Sequence, residues 1–211
     1  MKVSVSYLNV KKRDVADVIE NLDKTDADFI HVDVMDGKYV KKKANLYRFV
    51  KDIGKYTRKR LDVHFMVRKP HKMVDYYALL DAYCMTFHID IKSDLNELID
   101  RCHMYGIKVG LALNPDQDID LLEPYLDKID LVLIMSVYPG EGGQKFIPEV
   151  LPKIKKLKEK FKKEKRDILI SVDGGVNLET KKELKNVDII VSGSCVTNSE
   201  DYNETINKLK K

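Results

Sequence analysis

Short apolar runs recur along the chain at KVSVSYL (2–8), DFIHVDV (28–34), RLDVHFM (60–66), CMTFHI (84–89), IKVGLAL (107–113), DLVLIMS (130–136), DILISVD (167–173) and DIIVSG (188–193). Each has the length and β-branched content of a strand. Between them apolar residues return at helical spacing, as in DVADVIENL (14–22), MVDYYALLDAY (73–83), LNELIDRCHMYG (95–106, stopping on Gly106) and PEVLPKIKKLKEKF (148–161). No linker or low-complexity tract interrupts the alternation. Eight strands separated by helices predict one α/β domain over residues 1–211, a closed (β/α)8 TIM barrel in preference to an open doubly wound sheet.

Within a strand, alternate residues face opposite sides. In DFIHVDV, Ile30, Val32 and Val34 share one face while His31 and Asp33 share the other. In DILISVD, Ile168, Ile170 and Val172 oppose Leu169, Ser171 and Asp173. If the continuous apolar faces meet the helices, the polar faces point into the barrel. The same parity turns His64 inward with Asp62 and Met66, and Ser6 inward with Ser4 and Leu8. Polar groups from four strands then gather at the C-terminal rim, where barrels place their chemistry. Taken singly, a strand histidine such as His64 or His88 reads as a core or supporting residue, and Asp173 ahead of Gly174 and Gly175 reads as a turn former. Together, His31, Asp33, His64 and Asp173 are two imidazoles and two carboxylates with common parity, the donor set of a divalent-metal site. Without such a role their burial would be costly.

Composition adds boundaries. The formal net charge is +4, from 38 Lys+Arg against 34 Asp+Glu, with the lysines spread among acidic residues. Even the densest basic run, KIKKLKEKFKKEKR (153–166), carries Ile154, Leu157 and Phe161 at helical spacing, so it reads as an amphipathic helix and nucleic acid is not an expected partner. Cys84, Cys102 and Cys195 are odd in number and lack metal-ligand spacing, which fits a reducing cytoplasm. No stretch approaches the ~18 apolar residues of a membrane span. Glycines carry the second chemical signal. MSVYPGEGGQKF (135–146) brings Gly140, Glu141, Gly142 and Gly143 after the sixth run, Gly174 and Gly175 follow the seventh, and Gly193 with Ser194 follows the eighth. Glycine lets backbone N–H groups approach an anion closely, and the last loops of a barrel commonly cradle phosphate, so a phosphorylated ligand is expected.

HVDVMDG, DVHFMV, GLALNP, LVLIMSVYPGEGGQKF, SVDGGV and VSGS, in this order and spacing, resemble the ribulose-phosphate 3-epimerases over nearly the whole chain. The resemblance implies a ribulose-phosphate-binding barrel that interconverts D-ribulose 5-phosphate and D-xylulose 5-phosphate in the pentose phosphate pathway. It places His31, Asp33, His64 and Asp173 on the ligands of one divalent ion per chain, with Asp33 and Asp173 also the acid/base pair. The ligand set suits Zn2+, Fe2+, Mn2+ or Co2+. Ser6 and His64, with Gly140, Glu141, Gly142, Gly143, Gly174, Gly175, Gly193 and Ser194, fall on positions that bind substrate, and Met35, Met66 and Met135 on methionines around the reaction centre. A homo-oligomer, dimer or hexamer, is implied as well.

The chain departs from the family pattern at its rim. KYVKKK follows HVDVMDG in place of an aromatic and Val-Pro-Asn, SYLNVKK lacks a serine and an aspartate of the first motif, and Ser136 and Glu141 replace a threonine and an aromatic. The proposed ligands are unaffected. A 3-epimerase of a phosphorylated ketohexose such as allulose 6-phosphate would use the same set, and a non-catalytic sugar-phosphate-binding barrel is the rival from another class.

Overall fold

Eight parallel strands close on themselves in the computed structural model, which describes residues 1–211. The strands are β1 (Lys2–Ser6), β2 (Phe29–Asp36), β3 (Lys43–Ala44), β4 (Leu61–Met66), β5 (Ala82–His88), β6 (Lys108–Leu113), β7 (Leu131–Met135), β8 (Leu169–Asp173) and β9 (Ile189–Ser192). Hydrogen bonding runs β1-β9-β8-β7-β6-β5-β4-β2, and a β1–β2 pairing closes the ring. The eight predicted runs are these barrel strands. The extra element, β3, lies antiparallel on the projecting end of β2, with Met35 opposite Ala44 and Asp36 opposite Lys43.

The helices are α1 (Val15–Asp23), α2 (Tyr47–Val50), α3 (His71–Ala78), α4 (Leu95–Met104), α5 (Leu151–Glu164), α6 (Ser194–Thr197) and α7 (Tyr202–Lys210). The helical reading of 73–83 extends too far. Helix α3 ends at Ala78, Asp81 turns the chain at φ 55°, and Ala82 already pairs with Leu61 in the sheet. Strand pairing and the stacking of Tyr83 on Phe29, centroids 4.3 Å apart, outweigh local helical spacing there. Between β6 and β7, and between β8 and β9, the crossing is a 3-10 segment, Ile119–Tyr125 and Thr180–Glu183. Pro124 inside the first cannot donate a helical hydrogen bond. No helix is long and apolar enough to cross a membrane.

Strand parity separates two apolar clusters. Ile30, Val32, Val34, Val63, Phe65, Phe87, Ile170 and Val172 belong to a layer shared with helix residues such as Leu98, Ile154, Leu157 and Phe161. Phe29, Cys84, Ala112, Leu131, Leu133, Met135 and Ile189 form a smaller cluster inside the barrel. Burying each large apolar side chain is worth ~1.5–3 kcal/mol, so inverting a strand's register would exchange these layers at heavy cost.

At the opposite, N-terminal rim one device recurs. Asp28, Asp130 and Asp188 stand immediately before β2, β7 and β9, and each carboxylate accepts a backbone N–H of a neighbouring strand, from Val3, Val109 and Ile170 respectively, at 2.9 Å. The same aspartates donate their own N–H to the carbonyls of those three residues. Asp188 also meets Lys158 Nζ on α5 at 3.0 Å, fastening helix to sheet. Asp188→Ala is expected to destabilise the fold by roughly 1–3 kcal/mol, the scale of a charge-assisted hydrogen bond and the donor it leaves unpaired. Denaturant unfolding would register this as a lower midpoint at unchanged slope.

Candidate active site

Register decides which inward polar groups meet. Ser6 lies beside His31, His31 beside Asp62, Asp33 beside His64, and Met135 beside Asp173. Ser6, Met135 and Asp173 end their strands, whereas His31, Asp33, Asp62 and His64 lie deeper, within β2 and β4. His31 and His64 are fully buried, Asp33 nearly so, and Asp173 keeps 17% of its side chain exposed towards the mouth.

The four predicted ligand residues form one ring. His31 Nε2 is 3.4 Å from Asp33 Oδ1 and 3.7 Å from Asp173 Oδ2; His64 Nδ1 is 3.4 Å and 3.5 Å from the same two oxygens. One donor atom from each residue lies within 4.8 Å of all the others. Donors held at ~2.1 Å from a shared ion in tetrahedral array are ~3.4 Å apart, so the spacing fits a divalent cation. Both inward nitrogens, His31 Nε2 and His64 Nδ1, are buried and have no hydrogen-bond partner. Buried orphan nitrogens facing two carboxylates are what a cation would satisfy.

Electrostatics agree. Burial disfavours the charged form of His31, yet Asp33 and Asp62 outweigh it and hold the imidazole well above its usual pKa. Burial opposes charge on His64 too, and the facing carboxylates of Asp173 and Asp33 again raise it. Burial would raise Asp33, but His31 and His64 drive it far below the usual carboxylate range. The ring thus demands positive charge, and protons would compete with a metal ion for the same nitrogens.

A supporting layer fixes the ring. Asp62 Oδ2 is 2.8 Å from His31 Nδ1 and accepts the Ser4 hydroxyl at 2.8 Å. Ser6 donates to Asp33 Oδ2 at 2.7 Å, leaving Oδ1 for the ring. Asn45, held at φ 45° just after β3, donates its amide to the Asp33 carbonyl at 3.1 Å and accepts the Tyr77 hydroxyl on its own carbonyl. His64 Nε2 stands 2.9 Å from His88 Nε2. Inward parity flagged Asp62 in the sequence; Asn45 and the pairing of His88 carried no such signal, because both depend on how separate strands come together.

Above the ring opens a cleft of about 780 Å3 lined by Ser6, Asp33, Asp173, the three methionines Met35, Met66 and Met135, and every predicted loop residue from Gly140 to Gly143, Gly174, Gly175, Gly193 and Ser194. His31 and His64 lie beneath its floor and are not part of the lining. Gln144 donates from Nε2 to the carbonyls of Tyr138 and Glu141 at 2.7 and 2.8 Å, pinning the glycine loop in place. Ser136 donates towards the carbonyls of Asp173 and Gly174, at 2.9 and 2.6 Å, and so steadies the next loop. Gly175 adopts φ +63°, and a Cβ there would sit 2.4 Å from the Phe146 nitrogen, so only glycine lets the two loops touch. Sequence reasoning missed Asn9, Lys145, Asn177, Cys195 and Asn198, which also line the cleft. Asn9 packs where a Cβ on Gly142 would fall, 2.5 Å away, a contact between the loops after β1 and β7 that no local pattern announces.

Fold and site together define a (β/α)8 barrel with a candidate divalent-metal ring at its C-terminal mouth and a glycine-lined cradle beside it. The profile of the "Ribulose-phosphate 3 epimerase family" matches residues 2–197. A ribulose-phosphate 3-epimerase of Bacillus subtilis (strain 168) is 36% identical, with 100% of this chain and 98% of that protein covered. One from Buchnera aphidicola subsp. Baizongia pistaciae is 39% identical over 93% of this chain and 87% of the relative. Among solved structures, 3-hexulose-6-phosphate synthase from Salmonella typhimurium shares the fold at TM-score 0.70 and 18% identity, covering 99% of this chain and 96% of that one. The chain belongs to the ribulose-phosphate 3-epimerase family, and it is an isomerase of the epimerase class.

The close contact at Gly175 yields a separable test. Gly175→Ala is expected to weaken sugar-phosphate binding on the order of tenfold, ~1.4 kcal/mol, by displacing both loops, while divalent-ion uptake by the ring is retained. Calorimetric titration of the variant with each ligand measures the two effects independently.

Proposed function

We propose that this protein interconverts D-ribulose 5-phosphate and D-xylulose 5-phosphate, with one divalent ion per chain held by His31, Asp33, His64 and Asp173. The observation that carries the reading is the ring itself: two carboxylates share two buried imidazoles, directly beneath a cleft walled by glycine loops. Family membership supports the same substrate class. The donor set is compatible with Zn2+, Fe2+, Mn2+ or Co2+.

Epimerisation next to a ketone requires a base on one face of the carbon, an acid on the other, and stabilisation of the enediolate between them. A bound divalent ion supplies that stabilisation as a Lewis acid. Asp33 removes the C3 proton in one direction and Asp173 delivers a proton to the opposite face; the roles exchange in reverse. Ser6, by holding Asp33 Oδ2, aims the other oxygen at the reaction centre. Met35, Met66 and Met135 line the cleft near the carboxylates and exclude water without offering a competing proton. The phosphate is assigned to the loops of Gly174, Gly175, Gly193 and Ser194, where backbone N–H groups are accessible to an anion. A cytoplasmic homo-oligomer, without nucleic-acid partners, is the setting we assign to the reaction.

Turnover of ribulose 5-phosphate should exceed that of allulose 6-phosphate and should be lost on chelation and regained with added divalent ion. The reverse preference would move the assignment to a hexose phosphate, and chelator-insensitive turnover would remove the metal from it. Asp173→Asn tests the two-carboxylate scheme. Epimerisation should fall by ~100-fold or more, the scale of a general acid/base. Asp33 should still wash solvent deuterium into C3 on its own face. NMR of deuterium content alongside product formation, in variant protein shown to retain metal, reads both. Unchanged rates of both processes would exclude Asp173 as a proton carrier.

A further inference from the structure

His88, at the end of β5, points into the barrel and is fully buried, yet the mechanism above gives it no part. Its Nε2 lies 2.9 Å from His64 Nε2. Two ring nitrogens at that distance share a single proton, so one donates and the other accepts. The other nitrogen of His64, Nδ1, faces Asp33 Oδ1 and Asp173 Oδ2 and has no hydrogen-bond partner. For Nδ1 to present a lone pair to a cation, the proton of neutral His64 must reside on Nε2. His88 must then accept it on Nε2 and carry its own proton on Nδ1, which is buried and meets no hydrogen-bond partner. His31 is arranged the other way round: its Nδ1 meets Asp62, and its Nε2 faces the ring.

We propose that His88 is a positioning residue, a neutral acceptor that locks His64 in the tautomer and rotamer that presents Nδ1 to the metal. The inference rests on the metal reading given above. A neutral acceptor suits the charge balance. Asp33, Asp173 and Asp62 already bring three carboxylates to the surroundings of one dication, and a fourth behind His64 would leave buried negative charge uncompensated. His88 is itself held in orientation. The Tyr39 ring packs against it with centroids 4.7 Å apart, and the Tyr39 hydroxyl donates to Asp90 at 2.8 Å and accepts from Asn114 at 3.3 Å. The rim loop after β2 is thereby connected through His88 to a metal ligand.

Co2+ provides the probe, because its visible absorption reports the ligand field directly. His88→Phe keeps ring volume and the contact with Tyr39 but removes the acceptor; His88→Leu serves the same purpose should the Phe variant fail to fold. His88→Gln restores an acceptor at the position of Nε2. Chelator competition on purified full-length protein should show Co2+ affinity reduced about 10–100-fold in the Phe or Leu variant, with an altered Co2+ spectrum. The Gln variant should recover most of both. Wild-type affinity and spectrum in the Phe or Leu variant would reduce His88 to a packing residue and overturn the proposal while leaving the metal reading intact. Equal losses in the Gln and Phe variants would also overturn it, since shape and not the hydrogen bond would then matter. A wild-type protein that takes up no Co2+ would overturn the metal reading and this proposal together.

Discussion

Two carboxylates that converge on the same pair of buried imidazoles constrain everything else in this barrel. Asp33 and Asp173 reach both His31 Nε2 and His64 Nδ1, in a mouth where burial weakens solvent screening. Such a cluster persists only with positive charge inside it, as protons on the imidazoles or as a metal ion. The raised pKa values of His31 and His64 and the depressed one of Asp33 are the same demand expressed by each partner in turn. A flexible scaffold would relieve it by letting the side chains separate. Eight strands joined edge to edge give no such freedom, because the donors of β2, β4 and β8 are fixed to a ring with no free edge.

Much of this was legible in the sequence because strands have period 2. The alternation around His31, Asp33, His64 and Asp173 determines which face each side chain takes once the apolar partners face the helices, and the two apolar clusters divide along that line. Register was not legible. Asp62 shares inward parity with His64, but its action on His31 follows from the alignment of β4 with β2, which places the two residues side by side. His88 carried an ambiguous signal for the same reason, since a buried strand histidine reads equally as core until its neighbour's nitrogen is located. Backbone detail was also hidden. The short β3 arises where the lysine-rich rim folds back on β2, and the early end of α3 arises where sheet pairing claims Ala82.

The rim loop that departs from the family pattern is integrated into the site in this chain. Its antiparallel pairing positions Asn45, whose amide holds the Asp33 carbonyl, and its Tyr39 packs on His88. The loop thus contributes contacts on two sides of the ring. Lys41 and Lys42 are exposed, whereas Tyr39 and Asn45 are partly enclosed.

The interior of the barrel is divided as well. Leu131, Leu133 and Met135 of β7, Ala112 of β6 and Ile189 of β9 make one side mainly apolar, while Ser4, Ser6, His31, Asp33, Asp62, His64, Thr86 and His88 make the side of β1, β2, β4 and β5 mainly polar, with Phe29 and Cys84 as its apolar members. Asp173 stands on β8, between β7 and β9, and reaches across the barrel to His31 and His64. The methionines of β2, β4 and β7 line the cleft where these sides meet its opening. A polar network backed by an apolar wall feels a lower local dielectric than one surrounded by water, which strengthens each charge interaction within it and penalises any unpaired group. The same wall leaves the carboxylates only one open direction, towards the cleft and its glycine loops. Fixed dipoles and charges aimed at one face of a ligand, without solvent to reorganise, are the arrangement in which a barrel mouth stabilises developing charge most effectively.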